Sequence, residues 1–206
     1  MAKNAKPPPP VSGNNPCPFL RALVASGRLA DGAEPIGKVV EVIAETARRG
    51  EGRPALARAA IAGIAMIANG LSQAALLRTK LQGLQLNALR GGPLDKKGVG
   101  SGILDAHGKV DADELARLRE FAITQTAADG SSELGLGLAQ LKSFMDANFE
   151  RAAGHRRKID RALMNGEWPV LLKVMGKPGP KRRYLSLHEV ETLFNERRLP
   201  ERMMAG

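Results

Sequence analysis

The sequence predicts an all-α protein: one compact domain of about eight helices spanning residues 16–206, behind a proline-rich tail at 1–15. Three observations predict it. The chain is rich in Ala, Leu, Arg and Glu, residues that favour helix. Apolar residues recur at spacings of three and four in several segments. Proline and glycine fall between those segments, where helices start and stop. There is no internal repeat and no convincing alternation of the kind a half-buried strand shows.

The elements follow in order. Residues 1–15 carry Pro7 to Pro10 and then Ser12-Gly13-Asn14-Asn15, a composition expected to stay disordered. A first helix runs from Pro18 to about Arg28 and ends before Asp31-Gly32. Pro35 opens a second, ending near Arg49 at Gly50. Pro54 opens a third; Leu56, Ile61, Ile64, Met66 and Ile67 make it apolar almost all round, the pattern of a buried central helix. Residues 71–90 read as a fourth, stopped by Gly91-Gly92-Pro93. A glycine-rich loop covers 92–110. Asp111 to about Thr126 reads as a helix, and Leu134, Leu138, Leu141 and Met145 mark another amphipathic one. Helical pattern resumes near His155 and reaches Met175, with a break expected at Pro169. Gly176 to Pro180 connects to a last helix, opened by a Ser186–Glu189 capping box and facing inward with Leu187, Val190, Leu193 and Phe194.

At 206 residues the chain can bury a sizeable core. Its first residues lack the apolar run of a signal peptide, and no stretch reaches the roughly 18 apolar residues of a membrane span, so a soluble, cytoplasmic protein with no membrane partner is expected. Formal net charge is +10, concentrated in residues 151–183, where ten Lys/Arg face two acidic residues. Such a segment suits nucleic acid. One Trp, one Tyr and no recognisable nucleic-acid motif favour a solvated basic face instead, so no nucleic-acid partner is expected. His107, His155 and His188 have no paired metal-ligand spacing.

A single cysteine, Cys17, excludes an intrachain disulfide. Lone cysteines are usually small buried hydrophobes. Cys17 differs in its setting, Asn15-Pro16-Cys17-Pro18-Phe19-Leu20. Pro18 suits the first helical position and places Cys17 at the N-cap. Backbone N–H groups and the helix dipole there favour a thiolate over a thiol. That thiolate suits three roles: metal ligand, nucleophile or redox sensor.

Pro16-Cys17-Pro18-Phe19-Leu20-Arg21-Ala22-Leu23-Val24-Ala25-Ser26-Gly27-Arg28-Leu29 resembles the opening of the fungal haem-thiolate chloroperoxidases and unspecific peroxygenases and their bacterial relatives. In that family the cysteine is the proximal ligand of haem b, so the resemblance implies that Cys17 ligates the iron. Asp111-Ala112-Asp113 is similar to the family's Glu-His-Asp or Glu-Gly-Asp motif, which with a serine holds Mg2+ beside a haem propionate. By resemblance Asp111 and Asp113 become magnesium ligands, and Glu114 stands in for the serine. Asp111 is one methylene shorter than the family's Glu, and Ala112 occupies the place of its His. On the residues alone, Asp111 with Glu114 three positions on also reads as a helix cap. The glycine before it invites comparison with a calcium-binding EF-hand loop, but position 1 would be Ile103, which cannot ligate the ion.

Asn165-Gly166-Glu167-Trp168-Pro169-Val170-Leu171-Leu172 looks like the family segment that carries the distal acid–base glutamate. The resemblance implies that Glu167 is catalytic: it would take a proton from hydrogen peroxide and return it to the departing oxygen. A position beside Trp168 and an aliphatic run would leave this carboxylate half-buried; its plainer reading is an exposed glutamate at a helix start. Tyr184-Leu185-Ser186 and Arg197-Arg198-Leu199-Pro200 are also similar to bacterial members and read as structural. The implied activity is peroxide-driven oxidation or oxygenation of a small apolar or aromatic substrate in a haem pocket. Two other classes stand beside it: a non-catalytic haem-binding sensor or carrier, which needs no Glu167, and a basic helical protein that binds nucleic acid.

Overall fold

The computed structural model describes residues 10–50, 58–70, 72–95, 100–154, 157 and 159–204. Among them are nine α-helices: α1 (Pro18–Ala25), α2 (Ile36–Arg49), α3 (Arg58–Ala68), α4 (Gln73–Gln82), α5 (Ala112–Glu120), α6 (Leu138–Arg151), α7 (Asp160–Met175), α8 (Leu187–Asn195) and α9 (Glu201–Met204). The chain is helix-rich, as expected, but it also holds two small antiparallel sheets. β1 (Ala33–Glu34) pairs with β2 (Leu84–Gln85). β3 (Ile123–Thr126), β4 (Ser132–Leu136), β5 (Lys177–Pro178) and β6 (Arg183–Ser186) form a second sheet in the order β3-β4-β6-β5.

The strands correct the all-α expectation at three places. The helix expected to reach Thr126 stops at Glu120, and the β-branched run Ile123–Thr126 turns back through Asp129-Gly130 to pair with Ser132–Leu136. Gly130 has φ +85, a conformation that glycine adopts without strain. Leu134 therefore lies in β4, not on a helix with Leu141 and Met145. The expected connector at Gly176–Pro180 contains β5, which pairs with β6.

Other differences have local causes. The fourth helix ends at Gln82, because Gly83 brings the backbone against the Glu34 carbonyl where β1 and β2 pair. α3 is not buried all round: Ile61 and Ala65 face the interior, while Ile64 and Ile67 face water. Pro169 lies inside α7, which continues through it. Ser186 is the N-cap of α8, but its hydroxyl donates to Glu133 at 2.6 Å and not to the helix, so the capping box is not formed. Glu189 instead accepts two bonds from Arg202, at 2.8 and 2.9 Å. Pro54 and His155, expected to open helices, lie outside the described residues.

One core joins α1, α5, α6, α7, α8 and the second sheet. Phe19, Leu23, Leu118, Leu141, Phe144, Trp168, Leu185, Val190 and Leu193 all belong to it. α1 and β6 pack on α8; α7 packs on α6, β6 and α2. Phe144 sits edge-on between Phe121 and Trp168, with centroid separations of 5.5 and 5.9 Å. Arg202 closes the C-terminal end by donating to the carbonyls of Gly50 and Met175 as well as to Glu189. No single helix among the described residues is long and apolar enough to cross a membrane.

Candidate functional site

The segment before α1 is fixed in place. The Ser12 N–H donates to both carboxylate oxygens of Asp31, at 3.0 and 2.9 Å. The Arg90 N–H donates to the Asn14 carbonyl at 2.9 Å. Asn15 is fully buried, and its side-chain oxygen accepts from the Cys17 N–H at 3.1 Å. Residues 11–15, assigned to a tail by composition, are thus part of the fold. Composition missed them because their order comes from partners elsewhere in the chain.

Arg21 is central to this anchoring. It follows Cys17 by one helical turn and is 3 % exposed. Its guanidinium donates to the carbonyls of Ser12 (2.9 Å), Asn15 (3.3 Å) and Gly108 (2.9 Å). Burial, then the like charges of Arg197 and Arg90, lower its pKa, with Asp31 and Asp105 opposing them. Gly13 and Gly108 make the approach possible. A Cβ on Gly13 would strike the His107 carbonyl, and one on Gly108 would strike the Arg21 guanidinium.

Cys17 occupies the N-cap expected of it, with extended backbone (φ −89, ψ 110) and Pro18 opening the helix. The residue is half-buried against the main core, and its side chain makes no capping bond. It is thus held at a helix start, one turn from a buried cation, with part of its surface accessible. The helix dipole favours negative charge at this position.

The acidic motif does not assemble in the same way. Asp111 is the N-cap of α5, and one of its carboxylate oxygens accepts the N–H groups of Asp113 (3.0 Å) and Glu114 (3.1 Å). Asp111 and Asp113 are exposed. Glu114 spends both oxygens on cations: Arg117 at 3.0 Å and Arg151 at 3.0 and 2.5 Å. Among the described residues no group of three or more His, Cys, Asp or Glu is arranged to hold a metal ion. Asp111, Asp113 and Glu114 as arranged do not fit a magnesium site.

Glu167 lies in α7 and is exposed, not half-buried. The cause is helical phase: Met164 and Trp168 take the inward positions, and Glu167 points about a quarter turn away from Trp168. The helix that carries it packs on α6, β6 and α2, whereas α1 packs on α8. Cys17 and Glu167 thus sit on helices with different packing partners.

Sequence reasoning missed a polar cluster on the second sheet. Glu133 on β4 accepts from Tyr184 Oη at 2.7 Å, from Ser186 Oγ at 2.6 Å and from Lys177 Nζ. Tyr184 and Ser186 are almost fully buried. Burial opposes ionisation of Glu133, but the bonds from Lys177, Ser186 and Tyr184 outweigh it and lower its pKa. Burial and the neighbouring Glu133 raise that of Tyr184. The donors stand 44 to 53 residues away in the chain, so no local spacing announced the cluster. Tyr184-Leu185-Ser186, structural by the sequence reading, supplies two of the donors, and the chain's single tyrosine was the one available signal.

Comparison with models of known families, with curated proteins and with solved structures found no match.

Proposed function

We propose that this chain is a haem-thiolate protein of the peroxidase or peroxygenase type, with Cys17 as the residue that holds the iron. The observation that carries the proposal is the setting of Cys17: a partly buried cysteine at a helix N-cap, its N–H held by Asn15, with buried Arg21 one turn later. Haem b bound there would supply the redox chemistry by which hydrogen peroxide oxidises or oxygenates a small apolar or aromatic substrate.

The protein's own contribution follows from its residues. Cys17 stands at the positive end of the α1 dipole, which favours negative charge there without a capping bond to the side chain. Arg21 holds residues 12–15 against the turn at Gly108, beside the start of α1. Glu167 is the candidate proton carrier, and its exposure lets it exchange protons with bulk water. Magnesium has no part in the proposal, because Asp111 caps α5 and Glu114 is bound by two arginines. We place the protein in the cytoplasm on the same reading.

A second reading has an observation of its own. Glu167 is exposed, not enclosed in the core, and a haem-binding sensor or carrier needs no enclosed acid–base glutamate.

The experiment is an absorption spectrum of the purified protein titrated with haemin. The expected result is a thiolate-type Soret band in the native chain, absent in Cys17→Ala and shifted in Cys17→His. A colourless protein that ignores added haemin overturns both readings. Peroxide-dependent substrate oxidation that falls at least tenfold in Glu167→Gln supports the enzyme. Full turnover in that variant removes Glu167 from the mechanism, and haem binding without turnover leaves the sensor or carrier.

A further inference from the structure

Helices α3 and α4 carry the largest solvent-facing apolar side chains in one stretch of sequence. On α3, Ile64 is 44 % and Ile67 38 % exposed; on α4, Leu77 is 58 % and Leu81 75 % exposed. Each pair is spaced to share a helix face: three residues apart on α3, four on α4. With Ala60 and Ala74, also exposed, each helix presents a full apolar stripe to water. An aliphatic stripe left in solvent on two consecutive helices is unusual for a soluble surface and marks a contact.

The charge pattern around those stripes identifies the contact. Between Glu51 and Asp95 the chain has no acidic residue, while it carries Arg53, Arg58, Arg78, Lys80 and Arg90. Arg58 bonds Glu41 of α2 at 3.1 Å, and Arg78 and Lys80 have no ion-pair partner among the described residues. The whole molecule carries +10. A second copy of the same chain would bring like charge against like. A surface that is apolar inside and anionic outside satisfies both halves of the pattern.

We infer that α3 and α4 dock on the surface of an anionic lipid bilayer, with Ile64, Ile67, Leu77 and Leu81 entering the headgroup–acyl boundary and Arg78 and Lys80 meeting lipid phosphates. The two helices together reach the length and apolarity of a membrane segment, but the path bends by 119° between them. A bend of that size, with cations at both outer ends, suits helices lying in the interface and not a rod crossing it. The docking surface departs from the expectation of no membrane partner. It is independent of haem, since none of its residues belongs to the Cys17 site.

The experiment is co-sedimentation of the full chain with vesicles of phosphatidylglycerol and phosphatidylcholine, against vesicles of phosphatidylcholine alone. Binding is expected to the anionic vesicles and to weaken with added salt. The Leu77→Glu/Leu81→Glu double variant should lose about tenfold or more of the partition coefficient. Both positions are exposed, so its melting temperature should stay within a few degrees of the parent. Arg78→Gln/Lys80→Gln should bind several-fold less at low salt and show a flatter salt dependence. Ile64→Glu/Ile67→Glu repeats the test on α3. Equal sedimentation with and without anionic vesicles overturns the inference. So does unaltered binding in both glutamate variants, or a concentration-dependent dimer that those substitutions abolish.

Discussion

The α3–α4 pair and the segment from β6 through α8 use their apolar residues in opposite ways. In β6 and α8, Tyr184, Leu185, Leu187, Val190, Leu193 and Phe194 are all buried, and the buried polar atoms Tyr184 Oη and Ser186 Oγ both donate to Glu133. In α3 and α4, Ile61, Ala65 and Thr79 are buried, while Ile64, Ile67, Leu77 and Leu81 face water. The first region has sorted its side chains for folding, with oil inside and the Tyr184 and Ser186 hydroxyls paired with Glu133. The second leaves apolar surface uncommitted. The stability of this fold thus resides in the first region, and the second offers a face for contact.

The largest test of that contrast is a pair of leucine truncations. Leu193→Ala, in the core of α8, should cost about 2–5 kcal/mol in denaturant unfolding. Leu81→Ala, 75 % exposed, should change it by no more than about 0.5 kcal/mol. Equal losses would mean that α4 is held by its leucines after all, and the contrast would break. Next in size is Glu133→Ala, which strips the buried Tyr184 and Ser186 hydroxyls of their acceptor. A loss of about 1–3 kcal/mol is expected from the same unfolding curves.

The pH dependence sharpens the contrast further. Because folding lowers the pKa of Glu133, its contribution is present above the ordinary carboxylate range and is lost as pH falls through its folded value. Tyr184 works in the other direction. Its pKa is raised on folding, so its contribution is complete below the ordinary tyrosine range near 10 and declines as pH rises beyond it. Melting temperature against pH should therefore fall on both flanks, and both slopes should flatten in Glu133→Ala. The smallest loss above that of Leu81→Ala belongs to the start of α4. Its Ser72 Oγ accepts from the Ala75 N–H at 3.1 Å, and Ser72→Ala should cost about 1 kcal/mol. Hydrogen exchange should locate that loss in the α4 amides.

Much of the helical content was legible because it depends on neighbours three and four residues apart. Pro18 placed Cys17 at the N-cap of α1, Pro35 opened α2, and Asp111 caps α5 through the N–H groups its spacing implied. The strands were less legible. β3 and β4 are four and five residues long, and the Asp129-Gly130 turn between them was the one clear sign. The apparent period from Leu134 to Met145 ran across Gly137, which separates strand β4 from helix α6. At the candidate site, the N-cap of Cys17 could be read locally. The exposure of Glu167 was the plainer of its two local readings, and its cause is Trp168 turning inward to meet Phe144. The contacts of Arg21 with Gly108 and of Glu133 with Ser186 join distant residues and leave no trace in local spacing.

The bond from Arg21 to Gly108 spans 87 residues, and it gives the Cys17 environment a place in time as well as in space. During synthesis, α1 leaves the ribosome long before the turn that receives Arg21 has been made. Until then, residues 12–15 lack their opposing surface, and the thiol stands on a helix start without its final neighbours. The anchoring of residues 12–15 beside Cys17 is therefore completed only after residues 105–110 arrive. A slow stretch of translation before that turn would lengthen the exposure of the one sulfur atom that the proposed chemistry requires reduced.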